Sequence, residues 1–508
     1  MIIAMERNMN IIPQPTKVLK ISGFYKLNKT ITVKHDDNFN EIIEVFNKNL
    51  KKITDFKIEF THKEEADLKL IFDSQISNSE GYKITVGTKG IIIFACKKAG
   101  FFYGCITLLQ IISGTKIPFC EIEDEPRFEW RGMHLDVSRH FFPIEFIKRY
   151  IDLLSLHKLN VFHWHLTDDN GWRIEIKKYP QLTEVCSWRK NLEHISWNDR
   201  NDSDDVAEGV YGGFYTQEEI RDVIKYAAER FITVVPEIEM PGHTSEVFAA
   251  FPQLSCREEK LEVAPGGYWP NLDIFCAGKE DTFTFLEDIL SEIIQLFPSP
   301  YIHIGGDEAN KTRWKECPKC QKRIADEHLK DENELQSYFI TRITKFLLEK
   351  GKTPIGWDEI IEGGLAEDIV VMCWRGDGKD ALKNAISSGN KAILCPNPIL
   401  YFDWKQNEDS QGAFGVTTLK QVYDYEPMHT GISIEDKHLI LGVQANVWTE
   451  WMQTSKDVEY MAFPRMSALA EVAWQQENTK DWKNFQLRLT KFKSILDKYK
   501  INYYESNA

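Results

Sequence analysis

The sequence predicts an α/β protein: a closed (β/α)8 TIM barrel over residues 126–508, preceded by a small α+β domain over residues 1–125. Three observations predict it. Eight apolar strand-like runs recur after residue 130, with helix-like segments between most of them, the count that a closed barrel needs. Polar and aromatic residues gather at the C-terminal end of nearly every run, where barrels of this class build their sites. Between the two patterns lies Asp124-Glu-Pro-Arg127, where Pro126 breaks regular structure.

In the first part, short strand-like runs alternate with two helical ones. Gly81–Val86 and Ile91–Ala95 predict a hairpin around a Gly-Thr-Lys-Gly turn, and Lys98–Ile112 predicts an apolar helix packed on a neighbour. The barrel strands are expected at Arg131–Val137, Val161–Leu166, Ile232–Ile238, Tyr301–Ile304, Thr353–Trp357, Ile369–Trp374, Lys391–Cys395 and Leu439–Val447. The clearest helices between them are Ile144–Leu159, Thr216–Arg230, Thr282–Leu296, Asn333–Glu349 and Lys379–Ser388. Thr216 with Glu219 three residues later reads as a capping box. Residues 170–215 and 241–281 are long insertions, and long loops of this kind build barrel active sites.

Composition narrows the function classes. Sixty-two Lys and Arg against 77 Asp and Glu give a net charge of −15, with no long basic run, which argues against nucleic acid and anionic membranes as partners. The longest apolar stretch, Phe101–Ile112, is too short to span a bilayer. The start, MIIAMERNMNIIPQP, does not read as a signal peptide, and a trimmed chain would look the same, so the compartment is left open. The ten cysteines are scattered, mostly in apolar runs such as those of Cys96, Cys105, Cys373 and Cys395. Cys317-Pro-Lys-Cys320 is a close pair without a second CxxC, a weak zinc signal that does not predict a structural metal and leaves a local disulfide open.

The strand ends carry the chemistry. They read Leu135-Asp-Val-Ser-Arg-His140, His163-Trp-His-Leu-Thr-Asp-Asp169, Pro236-Glu-Ile-Glu-Met-Pro-Gly-His243, His303-Ile-Gly-Gly-Asp-Glu308, Gly356-Trp-Asp-Glu359, Cys373-Trp-Arg375 and Asn446-Val-Trp-Thr-Glu450. One polar strand end means little, but seven are not what structure alone requires. Asp307-Glu308 is the best candidate for the reacting centre. Neighbours on a strand point to opposite faces, and Gly305-Gly306 would let the chain bend so that both carboxyls enter one pocket. Two close carboxylates push each other's proton affinities apart, as an acid and an ionised partner require. Trp357, Trp374 and Trp448 supply aromatic walls suited to sugar rings and acyl groups, while Trp451 reads equally as core or rim. His134, His163, His165 and His303 read as hydrogen-bonded barrel interior rather than metal ligands, and His243, on a loop after Pro-Gly, as part of the site.

These motifs, in this order and spacing, resemble glycoside hydrolase family 20, the β-N-acetylhexosaminidases, over nearly the whole chain. The resemblance implies an exo-acting enzyme that removes terminal non-reducing β-linked GlcNAc or GalNAc from glycans or chito-oligosaccharides. It implies that Glu308 is the general acid/base and that Asp307 orients and polarises the substrate's 2-acetamido group. Arg139 would grip sugar hydroxyls, Trp357, Trp374 and Trp448 would wall the sugar and its acetyl group, and Tyr401 and Asp403 would hold the acetamido oxygen and a hydroxyl. Glu450 would bind the distal hydroxyls, with Asp168 and His243 orienting the groups in front of them. Tyr425 stands where some relatives carry Trp at the leaving-group platform. No metal and no organic cofactor is implied; a homodimer is left open. The rival readings are a family member specialised for another glycan, a catalytically dead glycan-binding barrel, which is expected to have lost Asp307, Glu308 or Tyr401, and a metal-dependent hydrolase using the His and Asp residues.

Overall fold

The computed structural model describes residues 9–35, 39–201, 204–267, 271–428, 432–477 and 479–505. Seven strands come first: β1 (Lys17–Lys26), β2 (Thr30–Lys34), β3 (Lys57–Phe60), β4 (Leu68–Phe72), β5 (Tyr82–Gly87), β6 (Gly90–Ala95) and β7 (Lys116–Asp124). They form one mixed sheet in the order β1-β7-β5-β6-β4-β2-β3, with helices Asn40–Ile53 and Lys98–Ile111 packed on it. The expected hairpin is β5 and β6, paired antiparallel from Tyr82↔Ala95 to Gly87↔Gly90. Tyr82, Ile84 and Val86 are buried and alternate with partly exposed neighbours, the period of two of a one-sided strand. Gly90 takes φ +115, a left-handed conformation costly to any residue with a Cβ.

Helix Lys98–Ile111 is buried on every side from Gly100 onward because it lies between this sheet and the barrel. Phe102 meets Phe231 and Tyr103 meets Trp474, each with ring centroids 5.3 Å apart. Polar ties cross the same seam. Arg131 reaches both oxygens of Glu80 at 2.9 and 2.7 Å, and the Lys158 ammonium lies 3.0 Å from Asp124, which also accepts the Trp474 indole N–H at 2.9 Å.

The barrel strands are β8 (Trp130–Asp136), β9 (Val161–His165), β10 (Thr233–Glu237), β11 (Tyr301–His303), β12 (Thr353–Trp357), β13 (Val370–Cys373), β14 (Ala392–Leu394) and β15 (Ile440–Ala445). All neighbours are parallel and in chain order, and β15 closes on β8. Each strand falls where the sequence predicts one. Trp130, Val161, Val235, Ile355, Val370, Met372, Ile393 and Leu441 fill the interior, so the barrel is a packed core rather than a pore.

The five expected barrel helices are present as Ile144–Leu156, Gln217–Ala228, Glu280–Leu296, Glu332–Glu349 and Lys379–Ser387. Thr216 caps the second, with Glu219 closing the capping box. The seventh unit departs from the pattern. Between β14 and β15 the described residues form the short helices Asn397–Leu400 and Leu419–Asp424, a 3-10 turn at Asp436–Leu439 and a small two-stranded patch, with Pro396, Pro398 and Gly412 at φ +140 among them. After β15 come helices Ser455–Ala462, Arg465–Trp474 and Trp482–Lys498. The last returns to the first layer, where Arg488 donates to the Ile11 carbonyl at 2.8 Å. Among the described residues, no helix is long and apolar enough to cross a membrane.

Candidate active site

All eight barrel strands deliver a residue of interest from their C-terminal ends. Arg139 follows β8, Asp168 follows β9, His243 follows β10, and Asp307 and Glu308 follow β11. Trp357 ends β12, Trp374 follows β13, Tyr401 and Asp403 lie beyond β14, and Trp448 and Glu450 beyond β15.

The local chain geometry explains how they arrive there. At β8, Asp136 Oδ1 accepts the backbone N–H groups of Ser138 and Arg139 at 2.8 and 3.1 Å, folding the chain back at the strand end. Its Oδ2 accepts Thr449 N–H and Oγ1 at 3.0 and 2.9 Å, which ties the β8 and β15 loops together. At β11 the ladder stops at His303, and Gly305 and Gly306 take φ +67 and +97. A Cβ on Gly305 would sit 1.7 Å from Glu239 Oε2 and one on Gly306 2.5 Å from Ile360 Cγ2, so only glycine fits at either place. The bend turns both carboxyls of Asp307-Glu308 towards one imidazole: His243 Nε2 lies 3.5 Å from Asp307 Oδ2 and 3.3 Å from Glu308 Oε2. Glu308 itself sits at φ +46.

His243 Nδ1 faces Asp168 Oδ1 at 3.2 Å and Asp169 Oδ2 at 3.4 Å. Burial alone would push its pKa down, but Asp168 and Asp307 outweigh it and hold the ring well above the ordinary histidine range. His243 thus sits among four carboxylates that favour its charged form. The same atoms lie within metal-ligand reach of one another. Burial likewise works to raise Asp168, but Arg139, His243 and the His165 hydrogen bond keep it far below the usual carboxylate range.

Arg139 organises the opposite wall. Its guanidinium lies 2.8 Å from Asp168, 3.3 Å from Asp136 and 3.5 Å from Glu450, and 5.1 Å over the Trp448 ring. Removing it takes the shared cation away from three carboxylates. Arg139→Met is expected to destabilise the fold by about 3–5 kcal/mol, read as a fall in melting temperature. An unchanged melting temperature contradicts this.

The aromatic residues meet as one cluster. Trp374 and Tyr401 stack with centroids 5.8 Å apart and 12° between planes, and Trp448 lies 5.8 Å from Trp357 and 6.1 Å from Tyr401. Trp357 Nε1 donates to Glu237 at 2.8 Å, and Trp374 Nε1 to Glu359 at 2.9 Å. Trp451 stands apart from them against Phe414 at 5.4 Å, on the rim. Asp403 is buried, and burial followed by the nearby Glu450 raises its pKa well above the ordinary value. Burial raises Glu450 to about 7 against the lowering by Arg139, and raises Asp307 to about 6 against the lowering by His243. Asp307 Oδ1, Asp403 Oδ1, Glu450 Oε2 and Trp448 Nε1 find no hydrogen-bond partner among the described residues. Four buried polar atoms are thus left unpaired beside one aromatic cluster.

Sequence reasoning missed the floor beneath this cluster. Glu237, fully buried, is ringed by His303 Nδ1 at 2.7 Å, His163 Nε2 at 3.1 Å and His165 Nδ1, and His165 Nε2 continues to Asp168 at 2.8 Å. A relay thus runs from Glu237 through His165 and Asp168 to His243 and Arg139. The four interior histidines were expected to be hydrogen-bonded, and this holds in part: one ring nitrogen each of His134, His163 and His303 has no well-aligned partner among the described residues. Two more residues were missed at the end of β12. Asp358 accepts the Trp374 backbone N–H at 2.9 Å, and Glu359 accepts the indole N–H of the same tryptophan. The motif Gly356-Trp-Asp-Glu359 was the signal for both, but their partner follows a different strand.

Comparison with known proteins agrees with this geometry. Residues 128–477 match the catalytic domain of glycosyl hydrolase family 20, and residues 8–125 match domain 2 of that family. The chain is 40% identical to a β-hexosaminidase of Porphyromonas gingivalis over 98% of its own length, and spans 65% of that relative. It is 34% identical to a β-hexosaminidase of Vibrio furnissii, covering 91% of this chain and 76% of the relative. Among solved structures it superposes on an exo-β-N-acetylglucosaminidase of family 20 from Vibrio harveyi, in complex with N-acetylglucosamine, with a TM-score of 0.88, 32% identity, and coverage of 98% of this chain and 78% of that one. With both layers of the fold matched, the chain belongs to glycosyl hydrolase family 20.

Proposed function

We propose that this chain is an exo-acting β-N-acetylhexosaminidase, which removes terminal non-reducing β-linked GlcNAc or GalNAc from glycans or chito-oligosaccharides with retention of configuration. One observation carries the reading: Asp307 and Glu308 meet a single imidazole, His243, beside an aromatic cluster with buried, unpaired polar atoms. We also propose that the chain divides at 125/126 into the small first domain and the catalytic barrel.

In this mechanism no second protein carboxylate attacks the sugar. The substrate's own acetamido oxygen attacks C1 and forms a cyclic oxazolinium-like intermediate. Held against C1 by the walls of Trp357, Trp374 and Trp448, with Tyr401 on its oxygen, it reacts as an intramolecular group, worth up to about 7–11 kcal/mol of the barrier. Asp307, ionised, stabilises the positive charge that develops on the acetamido nitrogen. Glu308 protonates the leaving oxygen and then takes a proton from the water that opens the intermediate. Arg139, Asp403 and Glu450 bind the hydroxyls of the terminal sugar, which suits recognition of a chain end.

Because Asp307 must be ionised and its pKa is about 6, kcat/KM is expected to fall as pH drops through about 6. The test is to follow hydrolysis of p-nitrophenyl β-N-acetylglucosaminide by proton NMR across this range, so that all GlcNAc released comes from the cleaved sugar. The β-anomer of GlcNAc appearing first, with an acid limb near that value, supports the reading. Initial release of the α-anomer overturns it.

A further inference from the structure

Away from this centre, four cysteines from two separate loops converge. Cys256 and Cys276 belong to the loop that follows β10, while Cys317 and Cys320 begin helix Pro318–Asp326 beyond β11. The Sγ atoms are 3.7 Å apart for Cys256 and Cys320, 3.8 Å for Cys276 and Cys317, and 3.5 Å for Cys276 and Cys320, and all four lie within 4.8 Å of one another. The reading of Cys317-Pro-Lys-Cys320 as a pair standing alone is therefore corrected: it is half of a four-sulfur cluster. All four are free cysteines, so the local disulfide left open by the sequence is not formed.

The spacing is that of a coordination shell. A disulfide needs about 2.05 Å between sulfurs. Thiolates at about 2.3 Å from a tetrahedral zinc are separated by about 3.8 Å, the edge of that tetrahedron. Four soft sulfur ligands with no open position select a structural zinc over magnesium or calcium. We propose that Cys256, Cys276, Cys317 and Cys320 bind one structural zinc ion that clamps the β10 loop to the β11 loop.

The surrounding chain is shaped for it. Gly278 presses against the Cys317–Cys320 turn so closely that a Cβ would lie 2.2 Å from the Lys319 carbonyl carbon and 2.5 Å from Cys320 N. Trp314 Nε1 donates to the carbonyl of Phe275 at 2.9 Å, beside Cys276, and Lys279 Nζ donates to that of Ser255 at 2.7 Å, beside Cys256. Asp273 is shared by Arg257 at 2.7 Å and Arg313 at 3.1 Å, one from each loop. Three of the cysteines are buried and Cys256 is partly exposed, which gives the ion a way in. The β10 loop carries His243 and the β11 loop carries Asp307 and Glu308, so the clamp would join the two loops that meet at that contact.

The test is the metal content of the full chain, purified without chelators or a metal-affinity tag. Mass spectrometry of the elements is expected to give about one zinc per chain, which is released when the thiols are titrated with an organomercurial. Cobalt(II) in its place is expected to show thiolate-to-metal charge transfer. Cys317→Ser with Cys320→Ser is expected to lose the metal and lower the melting temperature. If that variant does not fold, the wild-type measurements decide alone. Folded chain with no bound metal and four freely reactive thiols overturns the proposal, as do iron in place of zinc and a mass short of two hydrogens for each disulfide formed. None of these readouts depends on glycosidase activity.

Discussion

Glu308→Gln is expected to slow hydrolysis of substrates with poor leaving groups by roughly 10²–10⁴-fold, the usual worth of general acid–base catalysis. The substitution removes a proton and almost nothing else. Glu308 is one-fifth exposed at its side chain and meets His243 through Oε2, a contact an amide keeps in shape while losing its charge. An activated aryl leaving group departs without a proton, so its glycoside should lose far less in the bond-breaking step than chitobiose does. Comparing kcat for the two substrates checks this. A variant that turns over chitobiose as fast as wild type contradicts the assignment.

Asp307→Asn carries the second large effect, and it has two opposite signs. Turnover of acetamido substrates should fall by roughly 10²–10³, the cost of losing one preorganised charge at the reacting centre. Stability should rise. Burial lifts the Asp307 pKa from 3.8 to about 6, so the native state resists its ionisation more than the unfolded chain does. A carboxylate raised in this way contributes most below pH 4, and that contribution is lost as pH climbs through about 6. Above that, ionisation costs the native state up to about 3 kcal/mol at about 1.4 kcal/mol per pH unit. The asparagine variant escapes that cost, so it should melt higher than wild type at pH 8 and alike at pH 4. Equal activity, or a lower melting temperature at pH 8, contradicts the role of a strained, functional carboxylate.

Much of this centre was legible because barrels sort residues by position. A polar or aromatic residue at a strand's C-terminal end has one place to go, so Arg139, Trp357 and Trp448 could be assigned to one mouth before their contacts were known. Gly305-Gly306 was readable for a related reason: paired glycines before paired carboxylates announce a bend, and both glycines take positive φ. The floor was not legible. Glu237 matters because His163, His165 and His303 on three strands surround it, and such a ring exists only once the barrel closes. The cysteine cluster was hidden in the same way, since Cys256 and Cys276 are far along the chain from Cys317 and from each other, with no short motif to mark them. Between β14 and β15 the sequence predicts no clear helix, for a local reason. Pro396, Pro398 and Gly412 break the helical period there, so the chain reaches β15 through short pieces.

The most direct test of substrate-assisted catalysis is to compare p-nitrophenol release from the β-N-acetylglucosaminide with release from the plain β-glucoside, on the same folded preparation. The two substrates differ only in the acetamido group that is held to act as nucleophile. Fast release from the first and no measurable release from the second is the predicted result. Comparable rates on both sugars, or no release from the acetamido sugar, would contradict it.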